Sequence, residues 1–299
     1  MIPELPKRPD ASHKGDYGRG LLIGGSRGMA GAIALSGMAC LRAGAGLVRV
    51  ATTLESLPIV ASQNPCYMTL PVSQDEQGLI SSQAIEELAE VARDSTALAM
   101  GPGLGQSDEI LEFCEWAYRR ISKPMVVDAD ALNCLAKKPE VLVKPGGPRI
   151  LTPHLGELRR ILGDEVSTPK DLQYRAESLA REAGIIFVMK GHRSIIMNGV
   201  DRKQNSTGNS GMATGGSGDV LTGIITALLC QGMDAFAAAR LGCLIHGLAG
   251  DAAAKRIGKI SLNATDIVRY IPKAIRAIKR KERRRQIRNL KQDGPDSQS

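Results

Sequence analysis

The sequence predicts an α/β protein with a doubly wound, mostly parallel sheet flanked by helices. Two observations support this prediction. Short apolar runs of strand length alternate with longer segments whose apolar residues recur at helical spacing, as in successive strand–helix–strand units. Glycine-rich or polar loops follow most of the strands, and no internal repeat or linker divides the pattern.

The first unit begins after a polar segment, residues 3–20, that is rich in proline and glycine. Residues 21–25 form a predicted buried strand, and apolar spacing over residues 30–41 predicts the next helix. Residues 47–51 form the second strand. A strand, a helix and a strand in this order predict a right-handed unit with parallel strands.

The same alternation continues along the chain. The further predicted strands are 67–72 at a sheet edge, 96–100, 125–127, 149–151, 185–189, and an antiparallel edge pair at 194–197 and 201–205. The further predicted helices are 81–92, 108–121, 155–162 and 169–184, with more helices from residue 220 to about residue 279.

Composition excludes several classes of protein. No apolar run reaches the ~20 residues of a membrane span, and the N-terminus has no apolar core of a signal peptide. Six scattered cysteines without Cys-x-x-Cys pairs predict reduced thiols and a cytoplasmic protein. Of the net charge of +8, residues 279–299 carry +5. The modest excess on the rest of the chain predicts no nucleic-acid-binding surface.

Polar loops follow the carboxyl ends of several predicted strands, where open α/β sheets bind their ligands. These loops are Gly101–Gly103, Asp128–Asp130, Thr152–His154 and Lys190–His192, and Gly215–Asp219 opens a helix. Loops that converge on one edge of the sheet predict an active site for a large ligand.

The most informative loop spans residues 205–223 and contains six glycines and one charged residue, Asp219. An apolar run with helical spacing follows it. Glycine-rich backbone at a helix start can direct several N–H groups at an anion such as a phosphate chain. A carboxylate beside phosphate is unfavourable unless it binds a metal or transfers a proton, so we predict a functional role for Asp219 rather than a cap alone.

No Walker A sequence closes this loop. Gly216-Ser217-Gly218-Asp219 instead resembles the anion hole of the ribokinase-like superfamily, in which the aspartate deprotonates the substrate hydroxyl. An ordered set of motifs makes the resemblance specific to the ADP/ATP-dependent NAD(P)H-hydrate dehydratase family. The motifs are His13-Lys14-Gly15-x-x-Gly18, Leu41–Gly46, Gly101–Gly105, Asp128–Asn133, Leu151-Thr152-Pro153-His154-x-Gly156-Glu157, Lys190-Gly191, and Asn209-x-Gly211 through Asp219.

The resemblance implies repair of hydrated NADH or NADPH by phosphorylation of its hydroxyl and loss of phosphate, with ADP or ATP as co-substrate and Mg²⁺ as cofactor. Asp219 is the implied catalytic base. The implied contacts to the hydrated cofactor are Ala45 (or Ala43), Gly103 (or Gly105), His154 and Asp219. The implied nucleotide contacts are Lys190, Gly191, His192, Arg193, Ser194, Asn209, Gly215, Gly216, Ser217 and Gly218. Asp128 and Asp130 are candidate Mg²⁺ ligands through water.

Several of these residues also have a purely structural interpretation. Gly103 can be a turn glycine, Ala45 a packing residue, and Lys190 and Arg193 solvated charges. His154 can pair with Glu157 at a helix start. Within the ordered set of motifs, function is favoured for His154, Lys190 and Asp219.

Two features depart from the family pattern. The chain begins about a dozen residues before the first motif, so we expect any epimerase to be a separate protein. The basic segment 280–299 is predicted to be a solvated, frayed helix extension or a disordered tail, in preference to an RNA-binding segment, outside a single domain of residues 1–279. The resemblance also implies a homotetramer.

Two other functions remain open at this level. A vitamin-precursor kinase of the same superfamily, acting on hydroxyethylthiazole or hydroxymethylpyrimidine, would share the Gly-x-Gly-Asp loop. A non-catalytic adenine-nucleotide sensor is the other alternative, but a neutral residue would serve a pure anion site better than Asp219.

Overall fold

The computed structural model describes residues 2–163 and 168–292, with side chains to Arg285. Its strands are β1 (Arg19–Ile23), β2 (Leu47–Thr53), β3 (Met68–Val72), β4 (Ala97–Met100), β5 (Met125–Val127), β6 (Arg149–Leu151), β7 (Ile186–Met189), β8 (Ile195–Met197) and β9 (Arg202–Gln204). Its α-helices are α1 (Ala30–Arg42), α2 (Leu57–Gln63), α3 (Ala84–Arg93), α4 (Asp108–Arg120), α5 (Ala129–Leu135), α6 (Leu155–Leu162), α7 (Pro169–Ala183), α8 (Ser217–Cys230), α9 (Ala235–Ile257) and α10 (Ala264–Gln292).

The strands of the described residues form one sheet in the order β3-β2-β1-β4-β5-β6-β7-β8-β9. The first seven strands of this order run parallel, with pairings such as Leu22 with Val50 and Ala99 with Val126. The last two pairings, β7 with β8 and β8 with β9, are antiparallel. This confirms the predicted doubly wound, mostly parallel sheet.

Two hydrophobic layers cover the two faces of the sheet. In β1, Leu22 packs into one layer, while Leu21 and Ile23 pack into the other. The first layer includes residues of α1, α8, α9 and α10, and the second includes residues of α3, α4, α5, α6 and α7. Both faces of the central strands are therefore buried, which explains their continuous apolar runs.

Most predicted elements lie within one to three residues of their observed bounds, and β3 is the predicted edge strand. The sequence pattern did not reveal two helices, α2 and α5. Each has seven residues, too few to show a helical period. Helix α5 begins directly after Asp128, inside a segment predicted to be a loop.

The C-terminal helix extends past residue 279, the predicted end of the domain. Helix α10 continues to Gln292, so residues 280–292 form a helix extension. Lysine, arginine, glutamate and glutamine are good helix formers, and Glu282 also accepts a hydrogen bond of 2.9 Å from the Leu5 N–H. Residues 293–299 of the predicted tail lie outside the described residues. None of the described helices is long and apolar enough to cross a membrane.

Candidate active site

The glycine-rich loop before α8 is held in place by α9. The Asp251 carboxylate accepts hydrogen bonds from the Gly208 N–H at 3.0 Å and from the Asn209 side-chain amide at 2.9 Å. A Cβ at Gly247 would overlap the Thr207 hydroxyl, and a Cβ at Gly250 would overlap the Met212 sulfur. Small residues on α9 therefore let the loop lie directly against the helix.

Helix α8 begins at the end of this loop, where the chain reaches the candidate site. Gly216 is its N-cap and has a φ of 84°, a left-handed conformation that favours glycine. The first N–H groups of a helix have no acceptor within the helix, and its dipole places partial positive charge there. The start of α8 is therefore suited to binding an anion.

Asp219 lies in the first turn of α8, beside this anion-binding backbone. Burial, and then the nearby charge of Asp128, raise the pKa of Asp219 to about 7. The Ser36 hydroxyl donates a 2.8 Å hydrogen bond to the Asp219 carbonyl and ties this turn to α1. A carboxyl with such a pKa can take up a proton near neutral pH, as a general base must.

A buried ion pair lies next to Asp219. Lys190, which follows β7, donates from Nζ to Asp128 Oδ1 at 2.6 Å and lies 3.7 Å from Glu157 Oε2. Asp128 Oδ2 accepts from the Thr222 hydroxyl at 2.8 Å. A Cβ built at Gly218 would lie 3.2 Å from Lys190 Nζ, so the network borders the anion-binding turn.

The charged groups of this network shift one another's pKa values. Burial alone would raise the pKa of Asp128, but the ammonium of Lys190 and hydrogen bonds from Lys190 and Thr222 outweigh it and lower that pKa. Burial would lower the pKa of Lys190, and the carboxylates of Asp128 and Glu157 raise it instead. Both members of the pair are therefore charged at neutral pH.

His154 caps the helix that follows β6. Its Nδ1 accepts from the N–H groups of Gly156 at 3.0 Å and Glu157 at 3.2 Å, and Glu157 Oε2 accepts from the His154 N–H at 2.7 Å. The predicted pairing of His154 with Glu157 is therefore present. Burial and the charge of Lys190 lower the pKa of His154, so its half-exposed ring borders the cleft as a neutral imidazole.

The loop after β4 joins the same edge of the sheet. The Gly105 N–H donates to Asp130 Oδ2 at 2.9 Å, and Gly103 accepts from the Ser26 N–H at 2.7 Å through its carbonyl. Gly103 and Gly105 have positive φ, 65° and 76°, and a Cβ at Gly103 would lie 2.6 Å from the Met29 carbonyl oxygen. They are thus turn residues packed against the start of α1, and Asp130 orients their loop.

A cleft of about 740 Å³ opens beside the start of α8. Nine of the ten predicted nucleotide residues line it, namely Lys190, Gly191, His192, Arg193, Ser194, Asn209, Gly215, Ser217 and Gly218. Gly216 is not among the lining residues, and it forms the turn at the start of α8. His154, predicted to contact the other substrate, also lines this cleft.

Two predicted site residues lie elsewhere. Ala43 follows the C-terminal end of α1, and Ala45 precedes β2, so both lie at the amino ends of the strands. The Ala43 carbonyl accepts a 3.1 Å hydrogen bond from Gln231, which follows the last residue of α8. This corrects the prediction that Ala43 or Ala45 lines the site. Helix α1 runs antiparallel to its strands, and it carries the Leu41–Gly46 motif to the opposite edge.

Three site residues were not predicted as such from the sequence, where Glu157 was named only in a motif and as the partner of His154. Thr222 and Glu157 are buried partners in the ion-pair network. His246 of α9 lines the cleft, and its Nε2 lies 3.3 Å from the Ser217 hydroxyl. Only the polar residues His246 and Asp251, in an otherwise small and apolar part of α9, distinguish this segment in the sequence.

Asp128 and Asp130 do not form a metal cage with their neighbours. Among the residues that the structure describes, no group of three or more His, Cys, Asp or Glu side chains could hold a metal ion by itself. Asp128, Asp130, Asp219 and Glu157 nevertheless interact electrostatically around one ammonium, that of Lys190. This excess of carboxyl groups suits a hydrated cation that arrives with a phosphate ligand.

The sheet, the glycine-rich turn and Asp219 together define a ribokinase-like protein. A ribokinase-like superfamily protein from Enterococcus faecalis has the same fold, with a TM-score of 0.76 and 27% identity over 92% of each chain. More particularly, the chain belongs to the NAD(P)H-hydrate dehydratase family, whose model matches residues 20–273.

Two further relatives agree with this assignment. The ADP/ATP-dependent NAD(P)H-hydrate dehydratase from Bacillus subtilis, co-crystallised with ATP and Mg²⁺, is 30% identical with a TM-score of 0.74, over 92% of this chain and 94% of that one. The bifunctional NAD(P)H-hydrate repair enzyme Nnr of Moorella thermoacetica is 41% identical over 275 residues, which are 91% of this chain and 52% of that protein. The chain thus spans about half the length of the curated relative.

Proposed function

We propose that this protein restores hydrated NADH or NADPH, in its S epimer, by dehydration at the expense of ADP or ATP. The observation that carries the proposal is Asp219, a buried carboxyl with a pKa of about 7 in the first turn of a helix that begins at a large cleft. Membership of the family over residues 20–273 favours this reaction over phosphorylation of a vitamin precursor.

The reaction has two steps. The phosphates of the nucleotide lie at the backbone of Gly215–Gly218, and Asp219 takes the proton of the substrate hydroxyl as the hydroxyl oxygen attacks the terminal phosphorus. The bond from that phosphorus to the bridging oxygen breaks, and AMP (from ADP) or ADP (from ATP) leaves with its electron pair. The new phosphate ester then loses phosphate, which leaves with the electrons of the C–O bond. The neighbouring carbon loses a proton, and the electron pair of that C–H bond forms the double bond of the restored cofactor.

The residues of the site fit a metal that is ligated mainly by phosphate oxygens and water. Mg²⁺ commonly binds through one or two carboxylates together with substrate phosphates, and it would neutralise charge on the transferred group. Asp128 and Asp130 are the carboxylates proposed to hold it through water. Asp128 already accepts from Lys190 and Thr222, which is compatible with an outer position.

The nucleotide and the hydrated cofactor are proposed to occupy different parts of the edge. Lys190–Ser194, Asn209 and Ser217 line the cleft and belong to the nucleotide. The hydrated cofactor extends toward Gly103, Gly105 and His154, whose loops follow β4 and β6. His154 is proposed to lie between the nucleotide and the hydrated cofactor. It lines the cleft, and it also belongs to the loop after β6.

Domain organisation, assembly and location complete the proposal. Residues 1–279 form the proposed ribokinase-like domain, and family resemblance supports a homotetramer in the cytoplasm. Gel filtration with light scattering tests the tetramer.

One assay separates the candidate functions. Purified protein is mixed with hydrated NADH, Mg²⁺ and either ADP or ATP, and the absorbance of restored NADH is followed. Hydroxyethylthiazole and hydroxymethylpyrimidine serve as alternative acceptors with ATP. Restored NADH supports the proposal. Phosphorylation of a vitamin precursor alone would identify a kinase, and nucleotide binding without either reaction would identify a sensor.

A further inference from the structure

His246 is a partly buried imidazole beside the proposed nucleotide cleft, and neither the family motifs nor the proposed reaction use it. It lies on α9, the helix that also holds the glycine-rich loop through Asp251. Its Nε2 is 3.3 Å from the hydroxyl oxygen of Ser217, the first residue of α8. Ser217 is itself only 9% exposed and lines the cleft.

The imidazole is neutral over the physiological range. Burial lowers the pKa of His246 to about 4, and the nearby charge of Lys190 lowers it as well. A neutral imidazole has one N–H donor and one acceptor nitrogen. The hydrogen bond to Ser217 can therefore run in either direction, and the tautomer decides which.

A phosphate in the cleft selects between the two directions. If the Ser217 hydroxyl donates to His246, only oxygen lone pairs face the ligand, and these repel an anion. If His246 Nε2–H donates to Ser217, the hydroxyl proton is free to donate to a phosphate oxygen. Hydrogen bonds to charged acceptors are about twice as strong as neutral ones, so an anionic ligand favours the second arrangement.

We propose that His246 is a positioning residue for the nucleotide, whose Nε2–H donates to Ser217 Oγ and directs the Ser217 hydroxyl proton toward a phosphate oxygen of ADP or ATP. The proposal rests on the proposed function, since it requires that the cleft binds a nucleotide. His246 also lines the cleft, and its proposed effect on the nucleotide is exerted through Ser217.

The test is a double-mutant cycle on nucleotide affinity. Dissociation constants for ATP and ADP are measured by calorimetry for the wild type, Ser217→Ala, His246→Leu and the double variant. Ser217→Ala should weaken binding about 10- to 150-fold, the range for a lost hydrogen bond to a charged group. His246→Leu should weaken binding by a smaller factor, and the double variant should bind about as Ser217→Ala does, because the two residues act as one unit.

Two more variants control for packing. His246→Gln offers a side-chain N–H donor and should recover part of the affinity lost in His246→Leu. Lys255→Ala changes an exposed residue of the same helix and should bind as the wild type does. The imidazole ¹⁵N shifts of the ATP-bound wild type should show the neutral Nε2–H tautomer at neutral pH, because the pKa of His246 is about 4.

The outcomes separate the two proposals. A wild type that binds neither ATP nor ADP overturns the proposed function and this inference with it. A wild type that binds nucleotide while His246→Leu binds equally well overturns the inference alone. Effects of the two single variants that multiply in the double variant, or an Nδ1–H tautomer in the bound state, also overturn it.

Discussion

Asp219, the proposed catalytic base, is buried in a way that lowers the stability of the fold when its carboxyl is charged. Its pKa rises from the ordinary value of 3.8 to about 7 because the protein buries it near Asp128. A carboxyl whose pKa is higher in the folded than in the unfolded state favours folding only while it is protonated. The contribution is fully present below about pH 4 and is lost as the pH rises through about 7.

Asp219→Asn should therefore have opposite effects on catalysis and stability. Turnover should fall by a factor on the order of 10² or more, because the general base is lost, while nucleotide still binds. The variant should unfold at a higher temperature than the wild type at about pH 8, where the wild-type carboxylate is charged, and at nearly the same temperature at about pH 4. Calorimetric scans under both conditions test this, and equal shifts in the two scans would contradict burial of the charged carboxylate as the cause.

Lys190 forms an ion pair with a buried carboxylate, which a solvated lysine would not do. Lys190→Met should leave the buried charge of Asp128 unpaired, because Lys190 Nζ is its 2.6 Å partner. Breaking a buried pair in this way costs about 3–5 kcal/mol. Urea unfolding measures the loss, and adding Asp128→Asn to Lys190→Met should recover part of it. Failure of that second change to help would show that lost packing, and not charge, is responsible.

At the scale of elements, alternation of strands and helices predicts most of the fold, and it predicts the edge of the sheet where the cleft opens. Strands such as β1 and β4 are apolar on both faces, which identifies them without knowledge of their neighbours. The Ala43–Ala45 segment was assigned to the site from the motif match alone, although the predicted strand–helix–strand order already places it just before β2, at the amino ends of the strands. His246 was missed because its partner Ser217 is 29 residues away in sequence and is brought close only by helix packing.

Arg149 connects the start of β6 to the C-terminal end of α4, on the side of the sheet opposite the cleft. It is fully buried at the start of β6, and its guanidinium donates to the carbonyls of Tyr118 at 2.6 Å, Lys123 at 3.0 Å and Ile121, at and beyond the end of α4. Arg149→Lys should lower the free energy of unfolding by about 2–4 kcal/mol, because one ammonium cannot reach all three carbonyls and some stay unsatisfied. Chemical denaturation tests this, with Arg120→Lys, an exposed residue of α4, as the control. A loss no larger than that of the control would show that the three bonds contribute little.

At the scale of the whole molecule, the N-terminal segment meets the C-terminal helix. The Leu5 N–H bonds Glu282 of α10, and the basic extension of that helix continues to Gln292. The two ends of the described chain are therefore in contact with each other, and neither lines the cleft at the carboxyl ends of the strands.

Truncation after Arg285 should leave both folding and cofactor repair unchanged. Truncation after Lys279 removes the Glu282 contact and should make the N-terminal segment more sensitive to protease, again without loss of repair activity, because neither segment lines the cleft. Limited proteolysis with mass spectrometry and the NADH assay measure the two effects. Loss of activity in a folded truncated protein would show that this part of α10 contributes to the site or to an assembly that completes it.

Helix α8 runs from the cleft to the opposite edge of the sheet, about 20 Å for its 14 residues. At its far end a Cβ on Gly18 would overlap the Cys230 carbonyl, and a Cβ on Gly20 would lie 3.2 Å from the Cys230 sulfur. The backbone at Gly18 and Gly20 is therefore in direct contact with the C-terminal end of α8, and this contact limits how far the helix can shift along its own axis. The position of Asp219 along the axis of α8 is consequently set in part by Gly18 and Gly20, at the end of the helix opposite the cleft.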